Sequence, residues 1–354
     1  MNFKIRDREI GSGNPAYIIA EMSANHGGSL ERAKEIIWAA KEAGADCVKI
    51  QTYTADTLTL NCDNEYFKIK GGPWQKDNTM YELFSKANTP WEWHGALKEE
   101  AGRAGIDFFS APFDATAVDF LEELGVEFYK IASPEMVDVP LVRYVASKGK
   151  PIIMSTGMAS LGEIELAVRT VREQGNESLA LLRCAVSYPA VTDQMNLRTL
   201  QNVAETFGVP VGLSDHSQGS IGAVTAVALG ASVIEKHFCI SRDIETPDSF
   251  FSMEKEEFAQ MVRDVRQAER AIGQVAYGPT EQEEGNLAVA RRSIFCSADI
   301  RKGERFTPDN VRVVRPGYGL EPKFYDRLLG SVALRDISFG TPIAFGMFGE
   351  EKDG

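Results

Sequence analysis

Residues 209–237 read VPVGLSDHSQGSIGAVTAVALGASVIEKH and hold two of the four histidines in this 354-residue chain. Two short apolar runs, 209–213 and 231–234, flank a helical stretch, and each run is followed at its third position by a histidine. This pattern is typical of two neighbouring parallel strands joined by a helix. Because His216 and His237 then lie at the carboxyl ends of adjacent strands, we predict that they bind one divalent metal ion.

The same alternation of apolar runs and amphipathic stretches extends over most of the chain. The predicted strands are 16–22, 47–51, 107–113, 127–133, 151–156, 179–186, 210–216 and 233–238. Amphipathic stretches lie between them, among them 29–42, 91–104, 115–124 and 161–174. About eight such repeats predict an α/β fold, a parallel (β/α)8 TIM barrel. A doubly wound open sheet is the alternative, but it usually carries a Gly-rich phosphate loop, and the sequence has no GxGxxG or Walker A motif.

Two segments depart from this repeat. Residues 52–90 form a long aromatic- and Gly-rich insertion after the second strand, which in a barrel would lie at the catalytic face as a lid. After the last barrel helix, a polar linker at 273–287 leads into three short strand-like pieces, 293–298, 311–315 and 341–345. We therefore predict a catalytic barrel domain over 1–280 and a small β-rich domain over 281–354.

Composition and charge argue against several classes of protein. The net charge is −13 and no block of Lys or Arg is present, which argues against a nucleic-acid or anionic-membrane surface. No run of ~18 apolar residues exists, and the polar residues 1–8 lack a signal-peptide core. The five cysteines are scattered and form no CxxC pair, which favours buried thiols over disulfides or a zinc cluster. We therefore expect a cytoplasmic protein.

Polar residues at the strand ends are the candidates for chemistry, because a (β/α)8 barrel carries its active site at the carboxyl ends of its strands. Lys49 and Lys130 lie inside apolar strands, and since an unpaired buried ammonium group is costly, each must meet an anion. One interpretation is an internal salt bridge with Glu21 or Glu135. The other is a substrate carrying a phosphate and a carboxylate, bound by the lysines and by nearby hydroxyls. The strand-end residues in chain order are Glu21, Lys49, Gln51, Ser110, Lys130, Ser133, Glu135, Ser155, Thr156, Tyr188, Ser214, His216 and His237.

The sequence resembles the sialic acid synthase family over nearly its whole length. The matching stretches are IAEMSANHGG at 19–28, ADCVKIQ at 45–51, YKIAS at 129–133, STGM at 155–158, SDH at 214–216 and EKH at 235–237. VRPGYG at 314–319 matches the antifreeze-like (SAF) domain that ends these enzymes. Within the family the likeness is greatest to the pseudaminic acid synthase branch, which is matched at 55–60, 70–74, 89–93, 140–150 and 247–253.

This resemblance implies a TIM barrel followed by a SAF domain and a transferase that joins phosphoenolpyruvate to an N-acylated amino sugar. The pseudaminic branch implies 2,4-diacetamido-2,4,6-trideoxy-altropyranose as the acceptor, with pseudaminic acid and phosphate as products. An N-acetylneuraminate or legionaminate synthase is the alternative. The resemblance also implies that His216 and His237 bind Mn²⁺ or Mg²⁺, and that the tail supplies Arg315 to a partner subunit in a domain-swapped homodimer.

The resemblance assigns further roles residue by residue. Glu21 would transfer protons on the enol or on water. The residues that would hold phosphoenolpyruvate are Lys49, Lys130, Ser133, Ser155 and Ser214. The residues that would position the sugar are Gln51, Glu135, Tyr188, Asp248 and Arg315.

Some positions depart from the family pattern. Ala111 and Val186 stand where relatives usually carry polar side chains, so two hydrogen bonds to phosphoenolpyruvate are missing or come from Ser110 or Ser187. These departures keep a sugar- or carboxylate-binding protein without catalysis as an alternative, beside an aldolase that uses a barrel lysine as a Schiff base. We further expect a solvated His94. The apolar wall for the 6-methyl group of the sugar is expected from Phe250 and Phe251.

Overall fold

The structure, a computed structural model, describes residues 2–350, which form two compact units that divide between Gly273 and Gln274. In the first unit, eight parallel strands close into a barrel in chain order. An antiparallel hairpin, β1 (Asn2–Ile5) and β2 (Arg8–Gly11), precedes them. The barrel strands are β3 (Tyr17–Glu21), β4 (Cys47–Thr52), β5 (Asp107–Pro112), β6 (Tyr129–Ile131), β7 (Ile152–Ser155), β8 (Leu179–Cys184), β9 (Val211–Asp215) and β10 (Val233–His237). The predicted TIM barrel is confirmed.

Helices follow the strands, and the sequence encodes where many of them begin. Ser29, Asp114 and Ser160 each accept a hydrogen bond from a backbone N–H of the first turn that follows, which satisfies donors with no partner inside the helix. The helices of this unit are α1 (Leu30–Glu42), α2 (Ala55–Leu58), α3 (Met80–Ala87), α4 (His94–Ala104), α5 (Ala115–Leu124), α6 (Val139–Ala146), α7 (Leu161–Glu173), α8 (Thr199–Phe207), α9 (Ile221–Ala228) and α10 (Lys255–Ile272). Helices α2 and α3 lie in the insertion that follows β4.

The interior of the barrel is apolar at the amino-terminal ends of its strands. Alternate strand residues such as Tyr17 and Phe109 point inward, and the rings of Phe109 and Phe128 stack with centroids 4.2 Å apart. The β1–β2 hairpin, which the sequence analysis did not predict, adds Phe3, Ile5 and Ile10 to this cluster. Burial of each such side chain stabilises the fold by roughly 1.5–3 kcal/mol. One end of the barrel is therefore filled, and polar groups collect at the other.

The second unit is small, and two of its predicted features are wrong. The polar linker predicted at 273–287 contains most of the helix α11 (Glu281–Ala290), whose capping box joins Thr280 and Glu283. The strand predicted at 341–345 does not form, because Pro342 makes only an isolated bridge to Phe295 and has no N–H to donate. The elements present are β11 (Ser293–Cys296), β12 (Val311–Val314), α12 (Tyr325–Leu328), β13 (Val332–Ala333) and β14 (Phe348–Gly349). No helix within residues 2–350 combines the length and apolar content needed to cross a membrane.

Candidate active site

Four charged side chains form a buried layer at the carboxyl ends of the barrel strands. Lys49 Nζ lies 3.0 Å from a carboxylate oxygen of Glu21 and 3.6 Å from one of Glu235. Lys130 Nζ lies 3.7 Å from the same oxygen of Glu235. All four side chains are at least nine-tenths buried. Each lysine thus faces a carboxylate, as the salt-bridge interpretation of the sequence requires.

The identity of one partner differs from the prediction. Glu135 pairs with neither lysine, and its place is taken by Glu235, which was not singled out as a site residue. A signal for it was present in the sequence, because Glu235 is two residues before His237 and side chains in a strand alternate between its two faces. A strand whose His237 points into the barrel must point Glu235 the same way.

Hydroxyl and amide groups surround the charged layer. Ser155 Oγ accepts a hydrogen bond from Lys130 Nζ at 2.7 Å, and Ser214 Oγ donates to Glu235 at 3.1 Å. Gln51 Nε2 donates to Glu21 at 3.0 Å. Gly157 packs so closely on Ser133 that a Cβ there would lie 2.4 Å from the serine side chain. The sequence-predicted residues of β4, β6, β7 and β9 therefore meet in one place.

Buried polar atoms without a hydrogen-bond partner are concentrated at this place. Among the described residues, Asp114 Oδ2 is the only such side-chain atom elsewhere. Since leaving a buried polar atom unpaired costs about 1–3 kcal/mol, such a cluster marks a site where a ligand completes the bonding. The atoms are Ser133 Oγ, Glu135 Oε2, Glu235 Oε2 and His237 Nδ1.

Burial and neighbouring charges shift the pKa values of these groups in different directions. Burial raises the pKa of Glu21 to about 7, against the opposing effect of Lys49. Burial likewise raises the pKa of Glu135 to about 7. Burial by itself would raise the pKa of Glu235, but the positive charges of Lys130 and Lys49 outweigh this effect and lower the pKa. Glu21 can therefore exchange a proton near neutral pH, whereas Glu235 stays ionised between the lysines.

The two histidines lie beside each other at the ends of β9 and β10. Their ring centroids are 5.2 Å apart. His216 Nδ1 lies 2.9 Å from the carbonyl oxygen of Ala185, which assigns the proton to Nδ1 and leaves Nε2 as an electron-pair donor. His237 Nδ1 is buried and has no hydrogen-bond partner. Two imidazole nitrogens without proton partners could bind a divalent metal ion, and this metal site stays a prediction.

The structure limits how many protein ligands such an ion would have. Within residues 2–350, no group of three or more His, Cys, Asp or Glu side chains is arranged to hold a metal. The two imidazoles would thus be joined by water or substrate oxygens, an arrangement that suits a catalytic ion with open positions better than a structural one.

A buried ion pair fixes the strand ends that carry these histidines. Asp215 precedes His216, Lys236 precedes His237, and Lys236 Nζ lies 2.6 Å from Asp215 Oδ2. Asp215 Oδ1 also accepts hydrogen bonds from the backbone N–H and the hydroxyl of Ser217. Because both charged groups are fully satisfied, β9 and β10 are tied together directly behind the two imidazoles.

A cavity of about 460 Å³ lies beside the histidines and has two kinds of wall. The barrel contributes a polar wall of Ser23, Gln51, Tyr188, His237, Pro247 and Asp248. The insertion contributes a largely apolar wall of Tyr53, Lys68, Ile69, Lys70, Gly71, Trp74, Met80, Leu83, Phe84 and Ala87. Trp74 Nε1 donates to the carbonyl oxygen of Pro247 at 2.8 Å and so joins the insertion to the loop after β10. The insertion therefore forms one wall of this cavity, and its role as a lid stays a prediction.

Two aromatic residues do not have the predicted place. Phe250 and Phe251 do not line the cavity. Phe251 packs instead on the rings of His237 and Tyr188, at centroid distances of 4.6 and 5.0 Å, and Phe250 packs on Trp74 at 6.3 Å. They support the residues that form the walls, and the prediction that they form the apolar wall is wrong.

Four other polar residues singled out in the sequence have environments that the structure defines, and two of them, Ser110 and His94, differ from the prediction. Ser110 points away from the barrel interior, where its hydroxyl bonds Thr52 Oγ1 and the Ile50 carbonyl, so it does not compensate for Ala111. His94 is fully buried rather than solvated, and its Nε2 lies 2.8 Å from Thr52 Oγ1. Asp248 accepts hydrogen bonds from Ser23 Oγ and Ala24 N at the edge of the cavity. Arg315 belongs to the second unit, where it is exposed.

Comparisons with known proteins agree with this geometry. The NeuB family model matches residues 36–277, and the SAF domain model matches residues 291–349. A pseudaminic acid synthase from Campylobacter jejuni is 49% identical over 94% of this chain and 96% of its own length. An N,N'-diacetyllegionaminic acid synthase from Legionella pneumophila is 39% identical over 94% of both chains. The crystal structure of an N-acetylneuraminic acid synthetase from Leptospira borgpetersenii, solved with citrate, has a TM-score of 0.71 at 32% identity and covers 81% of this chain and 95% of that one. The chain therefore belongs to the NeuB family, the sialic acid synthase family that its motifs resemble, and ends in a SAF domain.

Proposed function

We propose that this chain is a pseudaminic acid synthase, a transferase that condenses phosphoenolpyruvate with 2,4-diacetamido-2,4,6-trideoxy-altropyranose and releases phosphate. The observation that carries this proposal is the 49% identity to the Campylobacter jejuni pseudaminic acid synthase over 94% of the chain. Identity to the legionaminic acid synthase is lower, at 39%. The site supplies the groups that the reaction needs.

Phosphoenolpyruvate would lie over the charged layer. Lys49 and Lys130 match its phosphate and carboxylate, and the unpaired Ser133 hydroxyl, with Ser155 and Ser214, would donate to the oxygens that the lysines leave free. With Ala111 and Val186 contributing no hydrogen bond, and Ser187 exposed, the lysines carry a larger share of this binding.

The acceptor sugar would lie in the adjoining cavity, with Gln51, Tyr188 and Asp248 on its polar side and the unpaired Glu135 carboxyl nearby as a further positioning group. A divalent ion, Mn²⁺ or Mg²⁺, held by His216 and His237 would polarise the aldehyde oxygen of the sugar. The methylene carbon of phosphoenolpyruvate then forms a bond to the aldehyde carbon, and positive charge develops at the neighbouring carbon. Water adds there, and Glu21 takes one of its protons and passes it to the former aldehyde oxygen, which becomes a hydroxyl. The C–O bond to phosphate then breaks, the remaining hydroxyl proton goes to the leaving phosphate, and the keto group of the product is left.

The oligomer that we propose is a domain-swapped homodimer in which Arg315 reaches the site of the partner. Exposed apolar residues lie on the segments that follow four successive strands, β6 to β9, in loops or at the first residue of a helix, along one arc of the barrel rim. They are Val137, Met158, Leu161, Val191 and Ile221. Exposed apolar residues, Val314 and Tyr318, also flank Arg315 in the second unit. Two such surfaces support an association that covers both. The five cysteines, none of them disulfide-bonded, fit the cytoplasm.

Product analysis tests the reaction. With phosphoenolpyruvate, Mn²⁺ and a panel of N-acylated sugars, we expect the 6-deoxy diacetamido altrose to give one equivalent of phosphate and a product of the mass of pseudaminic acid. Borohydride with pyruvate should trap no imine, which separates this reaction from that of a Schiff-base aldolase. A higher kcat/KM for N-acetylmannosamine, or phosphate release from no sugar in the panel, would contradict the assignment.

Complementation tests the position of Arg315. Arg315→Ala alone should lower activity roughly 10- to 100-fold, since a charged hydrogen bond contributes about 1.5–3 kcal/mol. Equal mixing with inactive His216→Ala chains, after exchange of subunits, should restore about a quarter of the wild-type activity, because one site in each mixed dimer is then complete. No recovery in verified mixed dimers would show that Arg315 acts in its own chain or not at all.

A further inference from the structure

Helix α3 in the insertion carries an apolar stripe that borders the cavity. Met80, Leu83, Phe84 and Ala87 are spaced i, i+3, i+4 and i+7, so they share one face of the helix. In a surface helix this face normally packs against the protein core. Here all four residues line the cavity beside the histidines. The stripe is therefore positioned to contact whatever the cavity binds.

Contacts within the protein hold this wall in place. Thr79 caps α3 by accepting a hydrogen bond from the backbone N–H of Glu82. Asn88 Nδ2 donates to the carbonyl oxygen of Phe84 at 3.0 Å, and Phe84 packs edge-to-face on Tyr53 with centroids 6.0 Å apart. A helix fixed at both ends presents a preformed surface, and preformed apolar surfaces discriminate between ligands by shape and polarity.

The opposite side of the cavity is lined by polar side chains. Gln51, Asp248 and His237 face the cavity from the barrel and suit hydroxyl and carbonyl oxygens. Lys68 and Lys70, which the insertion adds, are exposed. A ligand that fits both sides has polar groups along one edge and methyl groups along the other.

We propose that α3 selects the acceptor sugar, by packing Met80, Leu83 and Phe84 against its methyl groups. This inference rests on the proposed function and adds the residues that choose between acceptors. The ligand class is a deoxy sugar with N-acetyl substituents, whose 6-methyl and acetamido methyl groups bury apolar area against the stripe. A 6-hydroxyl against the same wall would lose its water without gaining a partner.

Polar substitutions in the stripe test the proposal. Met80→Gln keeps the size of a side chain that is 38% exposed, so it should fold normally, and Leu83→Gln places an amide on the more buried part of the wall. Each should lower the ratio of kcat/KM for the 6-deoxy diacetamido sugar to kcat/KM for N-acetylmannosamine by roughly 10- to 200-fold, with an unchanged KM for phosphoenolpyruvate. The matched control is Leu166→Gln in α7, also 38% exposed but outside the cavity, and it should leave the ratio unchanged.

The outcomes separate this inference from the proposed function. An unchanged ratio in Met80→Gln and Leu83→Gln, or a larger change in Phe250→Gln, would overturn the role of α3 while the enzyme still makes its product. Absence of turnover with every sugar would instead contradict the proposed function. In that case calorimetric binding of the 6-deoxy sugar decides, since a wild-type affinity that Leu83→Gln weakens at least tenfold supports α3 and an equal affinity refutes it.

Discussion

His216→Ala and His237→Ala are each expected to lower kcat by roughly 10²–10³-fold, the loss that follows when one group polarising a reacting carbonyl is removed. The physical reason is the small number of ligands. No third His, Cys, Asp or Glu side chain in residues 2–350 completes a metal site, so one imidazole and water would hold the ion weakly. Chelation of the wild-type protein should likewise abolish turnover, and Mn²⁺ or Mg²⁺ should restore it.

Metal affinity provides a measurement that does not depend on turnover. Titration calorimetry should show that Mn²⁺ binding weakens by at least about tenfold in both variants. His94→Gln is the matched control. His94 is also buried, but its ring is hydrogen-bonded to Thr52 and Pro90 and does not lie beside His216 or His237. It should retain wild-type affinity for Mn²⁺. Full activity in protein of verified zero metal content would refute the metal site.

The barrel could be predicted because its strands and helices are each encoded by short stretches of sequence. Runs such as 47–51 and 233–238 are apolar enough to be buried on both faces, and turn or capping residues such as Ser29 and Gly125 separate them from amphipathic helices. The side chains at the strand ends could then be assigned to one site, since parallel strands end at the same face of a barrel. That assignment brought Lys49, Lys130 and the two histidines together without any coordinates.

Other features depend on contacts between distant segments, which no local pattern encodes. His94 looks solvated on a polar helix, yet the tertiary fold buries it against Thr52. The β1–β2 hairpin is too short to stand out, and only packing on Tyr17 and Phe128 shows why it forms. Helix α11 is different, because its capping box of Thr280 and Glu283 is a local signal that outweighs the polar composition of this segment.

The apolar wall of the cavity shows the same limit at the site itself. The sequence predicts this wall at Phe250 and Phe251, because they adjoin Asp248 in the chain. The structure forms it from an insertion that begins almost two hundred residues earlier. Adjacency in sequence predicts which residues share a loop, but it does not predict which face of that loop lines the cavity. That face depends on the insertion, whose Trp74 donates a hydrogen bond to Pro247 in the loop after β10.

Glu21→Gln is expected to lower kcat/KM by roughly 10²–10⁴-fold and to remove a limb of the pH profile, because a positioned acid–base group contributes that much. Burial raises the pKa of Glu21 to about 7. Below this pH the carboxyl is protonated and cannot accept the proton of the attacking water, and above it the carboxylate can. In the wild type, log kcat/KM should therefore rise by about one per pH unit up to pH 7 and then level off.

The control for this profile is a second carboxyl of the same site. Burial raises the pKa of Glu135 to about 7 as well, so the value alone does not identify the titrating group. In Glu135→Gln the acceptor sugar loses a positioning contact and its KM should rise, but the limb near pH 7 should persist, since Glu21 still ionises. If the limb disappears in Glu135→Gln and survives in Glu21→Gln, Glu135 and not Glu21 is the group that accepts the proton of the attacking water. Glu21 is the better candidate because Lys49 and Gln51 hold its carboxyl within the charged layer, over which phosphoenolpyruvate would react.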